Sequence, residues 1–190
     1  MQSTRNGSST TSSAVNLVVP VTFDGYRPGA LGGVLGLHMD YYACEWGFGL
    51  AFESKVATEL SEFLARFDPD RDLFLTAWRG DVLVGSISMD VSGGGADGAH
   101  LRWFVVSDSE RGSGLGKQLM TRAIDHADRV TAGPVWLTTF AGLEAARALY
   151  ERFGFALCSQ SDADQWQGGV QEQLFKRPAP VDTTQESSQS

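Results

Sequence analysis

Arg111-Gly112-Ser113-Gly114-Leu115-Gly116-Lys117 puts three glycines where an apolar, strand-like run (predicted over Ala99–Ser107) gives way to a helix-like one through Leu119, Ala123 and Ala127. Glycine inside a helix costs about 1 kcal/mol relative to alanine, so Gly114 and Gly116 in a first turn imply a close approach to the backbone. A helix start exposes unpaired N–H groups and a partial positive charge. Stripped of Cβ atoms, those groups form a cradle for phosphate oxygens. Two familiar phosphate fingerprints fail on spacing. In G-x-G-x-x-G the third glycine falls on Lys117, and in G-x-x-x-x-G-K-[ST] the first glycine falls on Arg111 and the hydroxyl residue on Gln118.

A second segment narrows the reading. Val135–Phe140 is strand-like, and Leu143-Glu144-Ala145-Ala146-Arg147-Ala148-Leu149-Tyr150-Glu151-Arg152-Phe153-Gly154-Phe155 follows it. Leu143, Ala146, Leu149 and Tyr150 share one face of an amphipathic helix, and Gly154 is a natural left-handed stop. The pattern R-G-x-G-[apolar]-G, followed at this distance by a strand and a Tyr-Glu-Arg-Phe-Gly-Phe corner, resembles the GNAT-type acyl-CoA N-acetyltransferases. The first helices resemble a narrower group, the acetyltransferase half of MarR-GNAT fusion proteins. Tyr26-Arg27-Pro28-Gly29-Ala30-Leu31-Gly32, His38, Tyr42, Glu45-Trp46-Gly47-Phe48 and Phe52-Glu53 carry that likeness. The winged-helix half of such fusions needs well over a hundred residues, and the N-terminal arm is too short to hold it. Two positions depart from the pattern: Asp108 stands where proline is common, and Phe140 where asparagine usually contacts the pantetheine arm.

Bulk properties agree with one domain. The chain has 190 residues, 42% of them hydrophobic, enough for a single full core. Residues 1–16 are Ser/Thr-rich and lack hydrophobic periodicity, and 178–190 read the same way, so both are expected to be disordered. The domain is expected over 17–177. No signal peptide or membrane-length apolar run is visible, which points to the cytoplasm and away from membranes. Cys44 and Cys158 are read as core thiols, without a disulfide framework. A net charge of −8 argues against nucleic acid as a partner. No metal is expected, and the chain is expected to be a monomer or a homodimer.

A coarse pass gives strands over Val18–Tyr26, Leu73–Trp78, Val82–Met89, Ala99–Ser107, Val135–Phe140, Phe155–Gln160 and Val170–Lys176. Helices are predicted over Ala30–Glu45, Phe52–Phe67, the segment after the glycine loop, and the segment from Leu143. The order βααβββαβαββ is the one the resemblance implies: an α/β (α+β) domain whose six- to seven-stranded, mixed but mostly antiparallel sheet is flanked by about four helices.

The resemblance also implies the chemistry. Acetyl-CoA is the cosubstrate, with its pyrophosphate on Arg111, Gly112, Ser113, Gly114, Leu115, Gly116 and Lys117. Its pantetheine arm and thioester oxygen meet the exposed backbone of Phe104, Val105 and Val106. Arg147 is a further source of positive charge, whereas Arg152 reads as a solvated helix-face residue. Tyr150 corresponds to the family tyrosine that faces the CoA sulfur, and a phenol protonated at neutral pH can protonate a leaving thiolate. Glu45 is the candidate base. His38, Tyr42 and Trp46 are candidate acceptor-binding residues, with His38, Tyr42 and Glu45 at i, i+4 and i+7 on one helix face; His100 and Arg102 are weaker candidates. The reading favoured is acetyl transfer to the primary amine of a small molecule, such as an amino acid, by direct attack in a ternary complex. A protein N-terminal or lysine acetyltransferase and a non-catalytic acyl-CoA sensor are the alternatives.

Overall fold

In chain order the elements are β1 (Val21–Asp24), α1 (Ala30–Trp46), α2 (Leu50–Ala65), β2 (Leu73–Arg79), β3 (Val82–Asp90), β4 (Ala99–Val106), α3 (Leu115–Val130), β5 (Val135–Phe140), α4 (Glu144–Arg152), β6 (Ala156–Ser161) and β7 (Glu172–Arg177). A short 3₁₀ turn, Asp108–Glu110, links β4 to the glycine loop. This computed structural model describes residues 19–91, 98–162 and 169–179. The arm at 1–16, nearly all of the tail and the Ser92–Asp97 loop lie outside the described residues.

The strands form one sheet in the order β1-β2-β3-β4-β5-β7-β6. Every pairing is antiparallel except β4 with β5. This is the predicted element order and sheet. The sheet has a helical layer on each side. Phe52, Val56, Leu60 and Phe63 form the buried stripe of α2, which packs with Val34 of α1, Phe74, Trp78 and Trp103 on one face. Leu115, Leu119, Ala123 and Ala127 form the stripe of α3 on the other face, against Ile87, Leu101, Leu137, Tyr150 and Phe175. Full burial of one such side chain contributes about 1.5–3 kcal/mol, so helical spacing of the large apolar residues is enough to seat both layers.

Two expectations need correction. Cys44 and Cys158 are both exposed, not core thiols. Cys44 sits off the buried Val34–His38 face of α1, and all six residues of β6 are exposed because that edge strand has no layer over it. Among the described residues, no helix is long and apolar enough to cross a membrane.

Candidate active site

The central strands make the site by parting. β4 and β5 pair only at Ala99↔Val135 and His100↔Trp136. Beyond that root the β5-facing edge of β4 has no strand neighbour among the described residues, leaving backbone groups on that edge from Leu101 onward open to another partner. Gly98 closes the root: a Cβ there would stand 1.8 Å from the Pro134 carbonyl oxygen, and its φ is +83°. The Ala99 N–H donates to the same carbonyl at 2.9 Å.

A bulge in β4 then redirects the side chains. Ser86 pairs with Val105 and Ser88 with Arg102, so Ile87 of β3 faces both Trp103 and Phe104. Trp103 takes φ +46°, a strained conformation for a bulky residue, worth about 1–3 kcal/mol. The Ser86 hydroxyl holds it by donating to the Trp103 carbonyl at 2.8 Å. Strand alternation is therefore broken between Arg102 and Trp103, while Phe104 and Val106 stay together on the side opposite Trp103. Leu101 and Phe104 join the α3 side, while Trp103 joins the α2 side beside Phe63, with the Arg102 guanidinium 4.1 Å from its ring.

On the α3 side the glycine loop forms the start of that helix. Gly112 and Gly114 have φ of +76° and +83°, and a Cβ at either would enter open space. Gly116 is different: a Cβ there would make ordinary van der Waals contact with Phe104, Val106 and Leu149 at 3.5–3.7 Å, so it faces the seam of α3 with β4 and α4 rather than open space. The Leu115 N–H is met by the Ser113 hydroxyl at 3.2 Å and the Gln118 N–H by the Gly114 carbonyl at 3.1 Å. The N–H groups of Gly112, Gly114, Gly116 and Lys117 have no protein acceptor among the described residues. The loop is anchored by Glu110, a buried carboxylate that Arg79 grips with both Nε and Nη2 at 2.8 and 2.9 Å. That grip holds the Glu110 carboxyl below the usual carboxylate range.

Between the parted strands and α2 lies a cleft of about 330 Å³, lined among others by His38, Tyr42, Phe52, Glu59, Arg102 and Tyr150. Tyr150 is buried with Phe104, Phe155 and Phe175 around its ring, and burial raises its pKa. Its hydroxyl makes no protein hydrogen bond among the described residues. Burial raises Tyr42 too, with neighbouring Tyr150 and Tyr41 adding to the rise. His38 Nδ1 must carry its proton, because it donates to the Val34 carbonyl at 2.8 Å. Burial outweighs that bond and pushes the ring down to about 4. His100 stacks on Trp136 with centroids 3.6 Å apart; burial, then the charge of Arg102, push it to about 3. Both imidazoles are neutral at pH 7.

The profile of the acetyltransferase (GNAT) family matches residues 36–155, the span that runs from α1 to the turn after α4. The chain belongs to the GNAT acetyltransferase family. The ribosomal-protein-S18-alanine N-acetyltransferase of Escherichia coli shares its fold with a TM-score of 0.66 at 19% identity, covering 87% of this chain and 98% of that one. A GNAT-family acetyltransferase from Staphylococcus aureus Mu50 gives 0.68 at 14% identity, over 84% and 99%. The yncA protein of Salmonella typhimurium, solved with its cofactor acetyl-CoA, gives 0.66 at 14%, over 88% and 99%. No curated protein sequence matches the chain.

As a GNAT enzyme the protein uses acetyl-CoA, and the residues present suit that molecule. The unpaired N–H groups and the open space at Gly112 and Gly114 form a cradle at the positive end of a helix. Arg111 is exposed and tied to Asp108 at 2.7 Å, so the GNAT proline position here holds a carboxylate that occupies the loop's arginine. Arg147 is paired with Glu151 at 2.8 Å.

The acceptor-side expectations divide. His38 and Tyr42 line the cleft with Tyr150. Trp46 does not: it packs on Phe140 at 4.9 Å and over Gly142, where a Cβ would come within 2.4 Å of the indole. Glu45 is exposed and outside the cleft lining. Phe140, in place of the asparagine, joins Tyr42, Trp46 and Phe48 in an aromatic cluster at the end of the cleft. Sequence reading passed over Lys55 and Glu59 of α2, which also line it. Their only sequence signal is a Lys-Glu pair at i, i+4, which reads as an ordinary surface pair.

Proposed function

We propose that this GNAT enzyme acetylates the primary amine of a compact small molecule, with Tyr150 as general acid. The observation that carries the proposal is the cleft itself. Its volume of about 330 Å³ lies within the range of small-ligand sites, and side chains from α1, α2, β4, β5 and α4 wall it. Acetyl-CoA supplies an acetyl thioester; the C–N bond to the acceptor forms as the C–S bond breaks. The Tyr150 hydroxyl sits in this wall with its proton held by burial, and donates that proton to the departing sulfur. The β5-facing backbone of Phe104, Val105 and Val106, on the edge of β4 where it parts from β5, positions the pantetheine arm and the carbonyl oxygen. His38 and Tyr42 border the acceptor. Neither depressed imidazole is a strong base, and Glu45 can act only through water, so the amine must lose its proton with little help from the protein.

The experiment is a free-thiol release assay with acetyl-CoA against amino acids, polyamines, aminoglycosides and short peptides. Release stimulated by a small amine supports the reading. Release stimulated by peptides alone, or none in a protein that binds acetyl-CoA, contradicts it.

A further inference from the structure

A charged chain crosses the α2 side of the cleft and connects segments far apart in sequence. Lys55 Nζ donates to Glu59 Oε1 at 2.5 Å, and Arg102 Nη2 donates to Glu59 Oε2. Arg102 Nη1 also lies 3.8 Å from Asp90 Oδ2, which Arg66 holds at 2.5 Å. The charged residues that line the cleft are Lys55, Arg102 and Glu59, so two cations face it with one carboxylate between them. A guanidinium and an ammonium offer more N–H donors than one carboxylate can accept. Arg102 makes that single hydrogen bond among the described residues, and Lys55 likewise. Arg102 is four-fifths buried, where attraction between charges is stronger than in water.

We propose that Lys55 and Arg102 form the binding site for a carboxylate of the acceptor, making the substrate an α-amino carboxylate with an apolar side chain. This rests on the small-amine reading and deepens it. The cations have spare donors for a second carboxylate, and Phe52, Val56, Tyr42 and Phe140 supply apolar wall for a side chain. The same cations disfavour an ammonium beside them, which lowers its pKa and favours the neutral amine that attack requires. A polyamine or an aminoglycoside meets the opposite situation: its extra positive charges face two cations and a carboxylate already shared by both. The neutral state of His38 and His100 leaves that balance unchanged at pH 7.

Trp103 and Trp136 line the cleft, so intrinsic fluorescence reports occupancy without turnover. The full chain, saturated with CoA, is titrated with L-phenylalanine against phenethylamine and with L-leucine against 3-methylbutylamine. Each amino acid is expected to bind about tenfold or more tighter than its decarboxylated partner. Lys55→Met should bring each pair to within about twofold, and Lys55→Arg should restore the preference. Equal binding within the pairs, a preference untouched by Lys55→Met, or no saturable signal from either amino acid overturns the proposal. Carboxylate preference without thiol release from acetyl-CoA supports this site and contradicts the acetyl-transfer reading, so the two fail separately.

Discussion

The two sides of the cleft are built from different parts of the polypeptide. On the donor side, the glycine loop and the parted edge of β4 offer main-chain N–H groups, and side chains are pared away to expose them. On the acceptor side, α1, α2 and β4 offer side chains: two neutral imidazoles, Tyr42 and the Lys55–Glu59–Arg102 chain. The first kind of surface suits a ligand fixed for a whole family. The second can change partner by substitution without disturbing the loop. Phe140 stands in the cleft wall, packed with Tyr42 and Phe48 in an aromatic cluster.

The root of the cleft serves both sides, so its loss should have the largest effect. Gly98→Ala forces a Cβ into the Pro134 carbonyl at a φ of +83° and should cost about 4 kcal/mol or more, read as a collapse of the urea unfolding midpoint. An unchanged midpoint would mean that β4 and β5 are not joined there. The acceptor side should also be acid-sensitive. His38 titrates near 6.5 when unfolded and at about 4 when folded. Between those values the unfolded chain binds the extra proton, so this stability is fully present above about 6.5 and is lost as pH falls toward 4. The loss at pH 4 should be on the order of 3 kcal/mol, and His100 adds a loss of the same sign. His38→Asn, whose amide can replace the bond to Val34, should flatten the pH dependence of the unfolding midpoint. Tyr150→Phe tests the junction of the two sides. It should lower kcat about tenfold or more, about 1.4 kcal/mol of barrier, with CoA affinity unchanged. Undiminished turnover removes Tyr150 from the acid role.

This division also explains what could be read without a fold. Glycines at Gly112, Gly114 and Gly116 are costly, and their purpose is local, so the donor loop and the element order around it were legible from the sequence. The α2 and α3 helices were legible from apolar residues at helical spacing. The acceptor side was not. Glu59 and Arg102 are 43 residues apart, and nothing in either segment announces the other. The bulge at Trp103 inverts the strand's alternation, placing Arg102 and Trp103 on one face where strict alternation separates them. On α1, helical spacing groups Glu45 with His38 and Tyr42, yet the cleft ends before the last turn, leaving Glu45 in solvent and Trp46 over Gly142. Periodicity specifies a face, but the length over which that face is covered depends on the neighbouring loops.

The separation of a backbone-built donor side from a side-chain-built acceptor side is tested most directly by calorimetric titration of CoA into Gly114→Val and Arg102→Gln proteins. No atom lies within 4 Å of the Gly114 Cβ position, so bulk placed there fills the cradle, and the backbone strain of a side chain at a φ of +83° is read separately as a lower urea unfolding midpoint. CoA affinity should fall about 100-fold in Gly114→Val, about 2.7 kcal/mol, and stay within about threefold of the unsubstituted protein in Arg102→Gln. Equal losses in the two variants, or a larger loss in Arg102→Gln, would contradict the account.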